Sequence, residues 1–145
     1  MSYPPDHDLA KRVRRSRDLV LPFATAQLED GESIVALLSI AFGPLPPWTP
    51  LVPVFGILAI FTRLLRAHAV VVTDRRVLLI RRGKTRPGRP QRVDVSVHRD
   101  EVRVLEWRAG TPYSTLVIEA AGRRFRLTTH GPFAPEARTV VDSVS

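Results

Sequence analysis

The chain has 145 residues, of which 22 are Lys or Arg and 14 are Asp or Glu, so its net charge at pH 7 is +8. It contains no cysteine, which excludes disulfides, thiolate metal sites and cysteine nucleophiles. This length fits a single domain with one hydrophobic core. The basic excess favours an anionic partner, which could be nucleic acid, acidic lipid or acidic protein.

The first part of the chain is basic, and we predict an amphipathic helix over residues 8–28. Its apolar side is formed by Leu9, Val13, Val20 and Phe23. The charged run Lys11–Arg17 resembles the start of a secretion signal, but the apolar run Leu19–Phe23 is shorter than such a signal needs. We therefore divide the chain into a basic helical arm, residues 1–28, and a domain, residues 29–145.

A first strand is predicted at Ser33–Phe42, and the chain then continues without a charged residue as far as Thr62. This uncharged run is interrupted by Pro44, Pro46, Pro47, Pro50 and Pro53. A helix of about 12 residues from Val54 would be about 18 Å long, which is shorter than the ~30 Å hydrocarbon core of a bilayer. We therefore predict an apolar, partly helical insertion over residues 43–66 and no transmembrane helix.

The remaining sequence predicts six more strands and a closing helix. The predicted strands are 68–73, 76–82, 93–97, 102–108, 114–120 and 123–129. Over 133–144, the apolar residues recur at helical spacing. Seven short strands with turn residues between them predict a mainly β fold, an antiparallel barrel whose open end the terminal helix caps.

The hairpin Val70–Leu79, with the sequence VVVTDRRVLL, resembles the corresponding hairpin of bacterial pleckstrin-homology (PH)-like domains. The entry to the first strand, Gly31–Ile34, and the regular strands that end in a helix resemble the same family over residues 28–144. The resemblance implies a curved seven-strand antiparallel barrel with a C-terminal helix. It also implies a binding or scaffolding role without catalysis, and it names no ligand.

The positive charge is concentrated in one segment, because residues 63–92 carry ten basic residues and a single acidic one, Asp74. Within it, the loop that follows the hairpin supplies the candidate ligand-binding residues Arg81, Arg82, Lys84, Arg86, Arg89 and Arg92. Six cations in one loop favour the binding of phosphate or of acidic head groups. The alternative is a solvated loop whose charge contributes only to solubility.

The apolar insertion supplies a second set of candidate contacts, for a membrane or for a second copy of the chain. These residues are Trp48, Phe55, Ile57, Leu58, Phe61, Arg63 and Arg66. Their order, aromatic and apolar before basic, is typical of a helix at a membrane interface. The five prolines and the lack of a polar face favour instead packing on the barrel or in a homo-oligomer interface. Peripheral membrane association and a homo-oligomeric structural role are therefore both kept as alternatives.

The sequence shows none of the residue patterns of a catalytic centre. Its four histidines are never four residues apart, and His98 with Asp100 and Glu101 is the only local acid–base cluster. We therefore predict a protein that is not an enzyme and uses no cofactor or metal. The aromatic residues Trp107 and Phe125 lie in core-like alternation and no recognition motif is present, so nucleic acid is not the expected partner. We expect a cytoplasmic protein, with a peripheral position at the inner face of the membrane as the alternative.

Overall fold

The structure is a computed structural model that describes residues 5–42, 67–83, 88–110 and 113–144. It contains seven strands and a helix near each end of the chain, as predicted. In chain order these are α1 (Pro5–Ala26), β1 (Ile34–Phe42), β2 (Ala67–Thr73), β3 (Arg76–Arg82), β4 (Pro90–His98), β5 (Val102–Arg108), β6 (Tyr113–Ala120), β7 (Arg123–His130) and α2 (Ala134–Val144). The predicted apolar insertion, residues 43–66, lies outside the described residues.

The seven strands form one antiparallel sheet in the order β4-β3-β2-β1-β7-β6-β5. Strand β1 joins the two halves of the sheet, pairing with β2 along its length and with β7 at Phe42 and Thr128. Within the described ranges no ladder connects β4 to β5, so the sheet is open and the predicted closed barrel is wrong. The spacing of turns in the sequence predicts the number of strands. Closure of the sheet into a barrel depends on the tilt and stagger of the strands, about which turn spacing carries no information.

Strands β1, β2 and β3 are covered on both faces of the sheet. On one face, Ala137 and Val140 of α2 pack into a core with side chains such as Val70, Leu116 and Phe125. On the other, Val20 and Ala24 of α1 pack on a second cluster formed by Leu37, Ala69, Val71, Leu78 and Ile80. Because both faces of β2 are buried, all seven of its residues are apolar or hydrogen-bonded rather than alternating. Helix α1 is therefore packed against the sheet and exposes only one side.

Two tight turns fix the register of the hairpins. In the β2–β3 turn, the side-chain hydroxyl of Thr73 accepts hydrogen bonds from the amides of Arg75 and Arg76, which stabilises a turn that lacks glycine. In the β6–β7 turn, Ala121 and Gly122 both have positive φ, 53° and 77°. This left-handed pair is the conformation that two-residue hairpins favour.

Candidate functional site: the loop end of the sheet

The pairing registers bring several chain segments together at one end of the sheet, which we call the loop end. His68 at the start of β2 pairs with Arg81 near the end of β3, and Arg82 pairs with Pro90 at the start of β4. Phe42, the last residue of β1, pairs with Ala67. The basic loop that follows Arg82 and the insertion that follows Phe42 are therefore both attached at the loop end.

Helix α1 extends past the sheet at the loop end. The carbonyl of Gln27 accepts a hydrogen bond from Arg76, the first residue of β3, and the hydroxyl of Ser16 accepts one from Arg82, the last. The helix therefore runs antiparallel to β3. At about 1.5 Å per residue, its eleven residues before Ser16 reach about 16 Å beyond that contact.

Arg82 is the centre of the buried polar contacts at the loop end. The residue is 2% exposed and donates three hydrogen bonds of 2.6 Å, to the hydroxyl of Ser16 and to the carbonyls of Ser39 and Gly88. Burial lowers the pKa of its guanidinium, and the charge of Glu136 opposes that shift. Arg82 therefore joins α1, β1 and the basic loop, and it does not present its charge to a ligand at the surface.

The carboxylate of Glu136, in the first turn of α2, extends these contacts. Its Oε1 accepts hydrogen bonds from the amide and the hydroxyl of Ser39, at 3.1 and 2.7 Å, and its Oε2 accepts one from Arg17 at 3.3 Å. The residue is buried although it is charged. Donors from α1 and β1 therefore surround this buried carboxyl group.

A second polar cluster surrounds Asp94 on β4. Its Oδ2 is 2.8 Å from Nε2 of His68 and accepts a 2.8 Å hydrogen bond from Nε of Arg81, while its Oδ1 accepts one of 2.9 Å from Nε of Arg92. Burial alone raises the pKa of Asp94, but hydrogen bonds from His68, Arg81 and Arg92 outweigh it and hold the pKa below its usual value. Asp94 is therefore an ionised acceptor.

The position of Asp94 follows from a β-bulge. Leu79 pairs with Val95 and Ile80 pairs with Val93, so Asp94 is the extra residue of β4 between them. A bulge turns the side chain of its extra residue out of the regular alternation. In this way the carboxylate reaches residues that project from the same face of β2 and β3.

His68 is the buried member of this cluster, with 3% of its side chain exposed. Its Nε2 contacts Asp94, and its Nδ1 finds no partner among the described residues. The cluster thus combines one interior histidine with two guanidinium groups that face outward, Arg81 at 21% and Arg92 at 62% side-chain exposure.

The predicted ligand-binding residues are therefore not equivalent. Arg82 is interior, Arg81 and Arg92 are held by Asp94, and Arg89 is exposed. Lys84 and Arg86 lie outside the described residues. So do all seven residues of the second predicted set: Trp48, Phe55, Ile57, Leu58, Phe61, Arg63 and Arg66.

The structure brings cations of α1 close to the basic loop, although the sequence alone gives no reason to group the two segments. Next to Ser16, the exposed residues of α1 include Lys11, Arg12, Arg14 and Arg15. Counted together, the described residues of 10–18 and 81–94 include nine basic and two acidic side chains. We call the exposed members of this group the basic end: Lys11, Arg12, Arg14, Arg15, Arg89 and Arg92.

Several cations outside the basic end are paired. Arg76 contacts Glu32 at 2.7 Å, Arg75 contacts Glu29 at 3.7 Å and Arg103 contacts Glu119 at 2.8 Å. Within the described ranges, by contrast, the four α1 cations of the basic end and Arg89 form no ion pair. The basic end therefore holds five exposed cations that have no acidic partner among the described residues.

Sequence reasoning missed Ser16, Ser39, His68, Asp94 and Glu136. One signal pointed to the interior position of Arg82, because the period of two places it on the same face as Leu78 and Ile80. The partners of these side chains are 43 to 119 positions away in the chain, or follow from a bulge, so local patterns carry no signal for them.

The other candidate chemistry has little structural support among the described residues. No group of three or more His, Cys, Asp or Glu side chains there could hold a metal ion. His98 and Asp100 are 3.5 Å apart but stand largely exposed in a turn between β4 and β5. Neither helix of the described chain has the length and apolar character needed to cross a membrane.

The chain matches no family model, no curated protein and no solved structure. The geometry of the loop end is therefore the basis for a functional proposal.

Proposed function

We propose that this chain is a non-catalytic PH-like binding module that recognises an acidic ligand through the basic end. The observation that carries the proposal is the contact of Arg82 with Ser16, which brings the cations of α1 beside those of the basic loop. Two basic segments that are separated in the sequence then act on one ligand. An anionic surface at the basic end contacts cations that have no acidic partner among the described residues. Arg92 is the exception, because it contacts Asp94.

The architecture supports the PH-like part of the proposal. Seven antiparallel strands are followed by a helix that packs on one face of the sheet. Within the described ranges, every consecutive pair of strands except β4 and β5 is hydrogen-bonded, and β1 and β7 are joined at the centre of the sheet. The hairpin with the sequence VVVTDRRVLL lies at Val70–Leu79, within β2 and β3. A scaffold of this kind holds loops at the ends of its strands, where binding residues commonly lie.

The expected strength of binding follows from the number of cations. Each Lys or Arg close to an anionic membrane contributes about 1 kcal/mol at physiological ionic strength. The six side chains of the basic end would therefore contribute on the order of 6 kcal/mol. Such binding is weak to moderate, and salt weakens it because the charges are exposed.

Peripheral membrane association is the second candidate function, and one observation favours it. The insertion that contains Trp48 and Phe55 is attached at Phe42 and Ala67, at the same end of the sheet as the basic loop. Apolar and basic groups at one end fit the interface of an anionic bilayer. A homo-oligomer that uses the insertion as its interface would instead show a multiple of the 16.2 kDa monomer mass in solution.

Vesicle sedimentation tests the main proposal. The probes are phosphatidylglycerol vesicles, neutral phosphatidylcholine vesicles and a soluble poly-glutamate peptide. The test variant replaces Lys11, Arg14 and Arg15 with Gln. A matched control replaces the exposed residues Arg123, Arg124 and Arg138 with Gln, which removes the same charge from residues outside the basic end.

We expect the wild-type chain to bind at least one anionic probe, to release it as salt rises and to ignore the neutral vesicles. The α1 variant should lose most of this binding, whereas the control variant should keep it. Equal losses in the two variants would show a diffuse charge effect and refute the proposed site. No binding to either anionic probe would refute the proposed function.

A further inference from the structure

The cluster around Asp94 differs from an ordinary surface salt bridge in its geometry. One carboxylate holds the Nε atoms of two arginines, Arg81 at 2.8 Å and Arg92 at 2.9 Å, on its two different oxygens. Arg81 and Arg92 are direct cross-strand neighbours on β3 and β4. Like charges in this position repel each other, and the carboxylate between them offsets that repulsion.

The contacts with Asp94 leave the outer nitrogens of both guanidinium groups unused. Each arginine contacts Asp94 through Nε, and within the described part of the chain their Nη atoms donate no hydrogen bond. A guanidinium carries five N–H donors in a fixed planar arrangement. Most of the donors of Arg81 and Arg92 therefore remain available to a ligand.

The support beneath Asp94 is rigid. His68 holds its Oδ2 from the interior with 3% side-chain exposure, and the bulge at Asp94 fixes the backbone. The Asp94 side chain is 16% exposed, less than the side chains of Arg81 and Arg92, at 21% and 62%. Asp94 thus contacts both guanidinium groups at Nε and holds them side by side.

We propose that Arg81 and Arg92, oriented by Asp94, form a clamp for a phosphate monoester. A phosphate monoester carries close to two negative charges at neutral pH and three acceptor oxygens, which suits two guanidinium groups with free Nη donors. A phosphodiester carries one charge and fewer free oxygens. In this arrangement Asp94 is a positioning residue. This inference rests on the proposed function, which requires a negatively charged ligand, and it adds the chemical class of that ligand.

Arginine substitutions provide the first test. The probes are vesicles that contain phosphatidic acid, a monoester, and vesicles that contain phosphatidylglycerol, a diester, matched in surface charge. Arg92→Gln removes one half of the clamp, and Arg89→Gln removes an equal charge from an exposed side chain without an ion pair among the described residues. Arg92→Gln should reduce binding to phosphatidic acid about tenfold and to phosphatidylglycerol much less. Arg89→Gln should reduce both equally.

Two substitutions of acidic residues test the orienting role of Asp94. Asp94→Asn and Asp18→Asn each remove one negative charge near the basic end, but only Asp94 contacts the arginines of the clamp. A purely electrostatic site predicts stronger binding for both variants. The clamp predicts that Asp18→Asn strengthens binding to both vesicles, while Asp94→Asn lowers the preference for phosphatidic acid. Thermal unfolding of each variant verifies that it is folded.

Competition with inorganic phosphate distinguishes a free phosphate ligand from a lipid head group. Displacement of the protein from phosphatidic acid vesicles at millimolar phosphate, at constant ionic strength, indicates that the phosphoryl group alone is recognised. Retention on the vesicles indicates that the bilayer contributes, and both results agree with the clamp. Equal losses on both lipids for Arg92→Gln and Arg89→Gln would refute the clamp and leave the proposed function intact. If Arg92→Gln and Arg89→Gln both bind the vesicles as tightly as the wild-type chain, the clamp is refuted. The same result would refute a contribution of the basic loop to the proposed function.

Discussion

Arg82 of β3 donates a 2.6 Å hydrogen bond to the hydroxyl of Ser16 in α1, although the two residues are 66 positions apart. Both residues are buried, at 2% and 8% exposure. Together with the contact of Arg17 with Glu136, the bond attaches the middle of α1 to the loop end of the sheet. An arginine that looks like one more cation of a basic loop is therefore the residue that joins the two basic segments.

Replacing Arg82 with Met should destabilise the fold by about 3 kcal/mol. The change leaves the hydroxyl of Ser16 and the carbonyls of Ser39 and Gly88 without their donor, and each unsatisfied buried polar group costs about 1–3 kcal/mol. Urea unfolding followed by circular dichroism measures the loss.

Two control variants accompany Arg82→Met. Arg89→Met removes an exposed cation of the same loop and should change the free energy of unfolding by less than about 0.5 kcal/mol. Arg82→Lys keeps the charge but lacks the fork of donors that reaches three acceptors, so it should restore only part of the stability. Equal stability of Arg82→Met and Arg89→Met would show that Arg82 is not a structural residue.

The elements of this fold were predictable because their signals are local. Val93, Val95 and Val97 alternate with polar residues, and all three lie in β4 as predicted. The last helix begins near Phe133 and buries Ala137 and Val140, which share one side of it. Strand spacing and helical periodicity depend on neighbouring residues only, so one sequence is enough to read them.

The arrangement of the elements was less predictable because it depends on distant pairs. Closure of the sheet was predicted, yet β4 and β5 remain its two edges among the described strands. The basic loop was predicted as one group of equivalent cations, yet Arg82 is interior and Arg92 is held on Asp94. Such differences arise from contacts with Ser16, Ser39 and a bulge, none of which leaves a periodic pattern in the sequence.

Glu32 should make the stability of the protein depend on pH below about 4.5. Its carboxylate accepts two hydrogen bonds from Arg76, at 2.7 and 3.0 Å, and one of 2.6 Å from Thr73. The hydrogen bonds from Arg76 outweigh the effect of burial and, with Thr73, lower the pKa of Glu32 from 4.5 to about 2. A depressed pKa stabilises the fold above the unfolded value, and this stabilisation is lost as pH falls from about 4.5 to about 2.

The variant Glu32→Gln isolates this contribution. It should be less stable than the wild-type chain at pH 7 by on the order of 2 kcal/mol, and the difference should shrink as the pH approaches 2. Asp94 and Glu119, whose pKa values are also lowered, remain in both proteins and cancel in the comparison. A difference in unfolding free energy that stays constant from pH 7 to pH 2 would contradict the assignment.

Helix α1 should contribute to stability through one face only. Val20 is fully buried against the sheet, and its neighbour Leu21 is 37% exposed. Val20→Ala removes two buried carbon groups and leaves a small cavity, which should cost about 2 kcal/mol. Leu21→Ala, measured by the same thermal unfolding, should cost less than about 0.5 kcal/mol. If neither Val20→Ala nor Leu21→Ala changes the free energy of unfolding, α1 is a solvated arm that does not pack on the sheet.

Replacing Ala121 with Asn should stabilise the protein. Ala121 has φ of 53°, a left-handed conformation that costs an alanine about 1 kcal/mol, and it precedes Gly122 in a two-residue turn. Asn before Gly is the preferred pair for such turns, so Ala121→Asn should raise the free energy of unfolding by about 0.5–1 kcal/mol. The matched control, Ala109→Asn, changes an exposed alanine without positive φ and should be neutral. The opposite change, Gly122→Ala, should destabilise by about 1 kcal/mol through backbone strain alone, because its new Cβ would meet no atom within 4 Å. If Ala121→Asn and Ala109→Asn raise the free energy of unfolding equally, the added polar side chain, and not the left-handed backbone at Ala121, accounts for the increase.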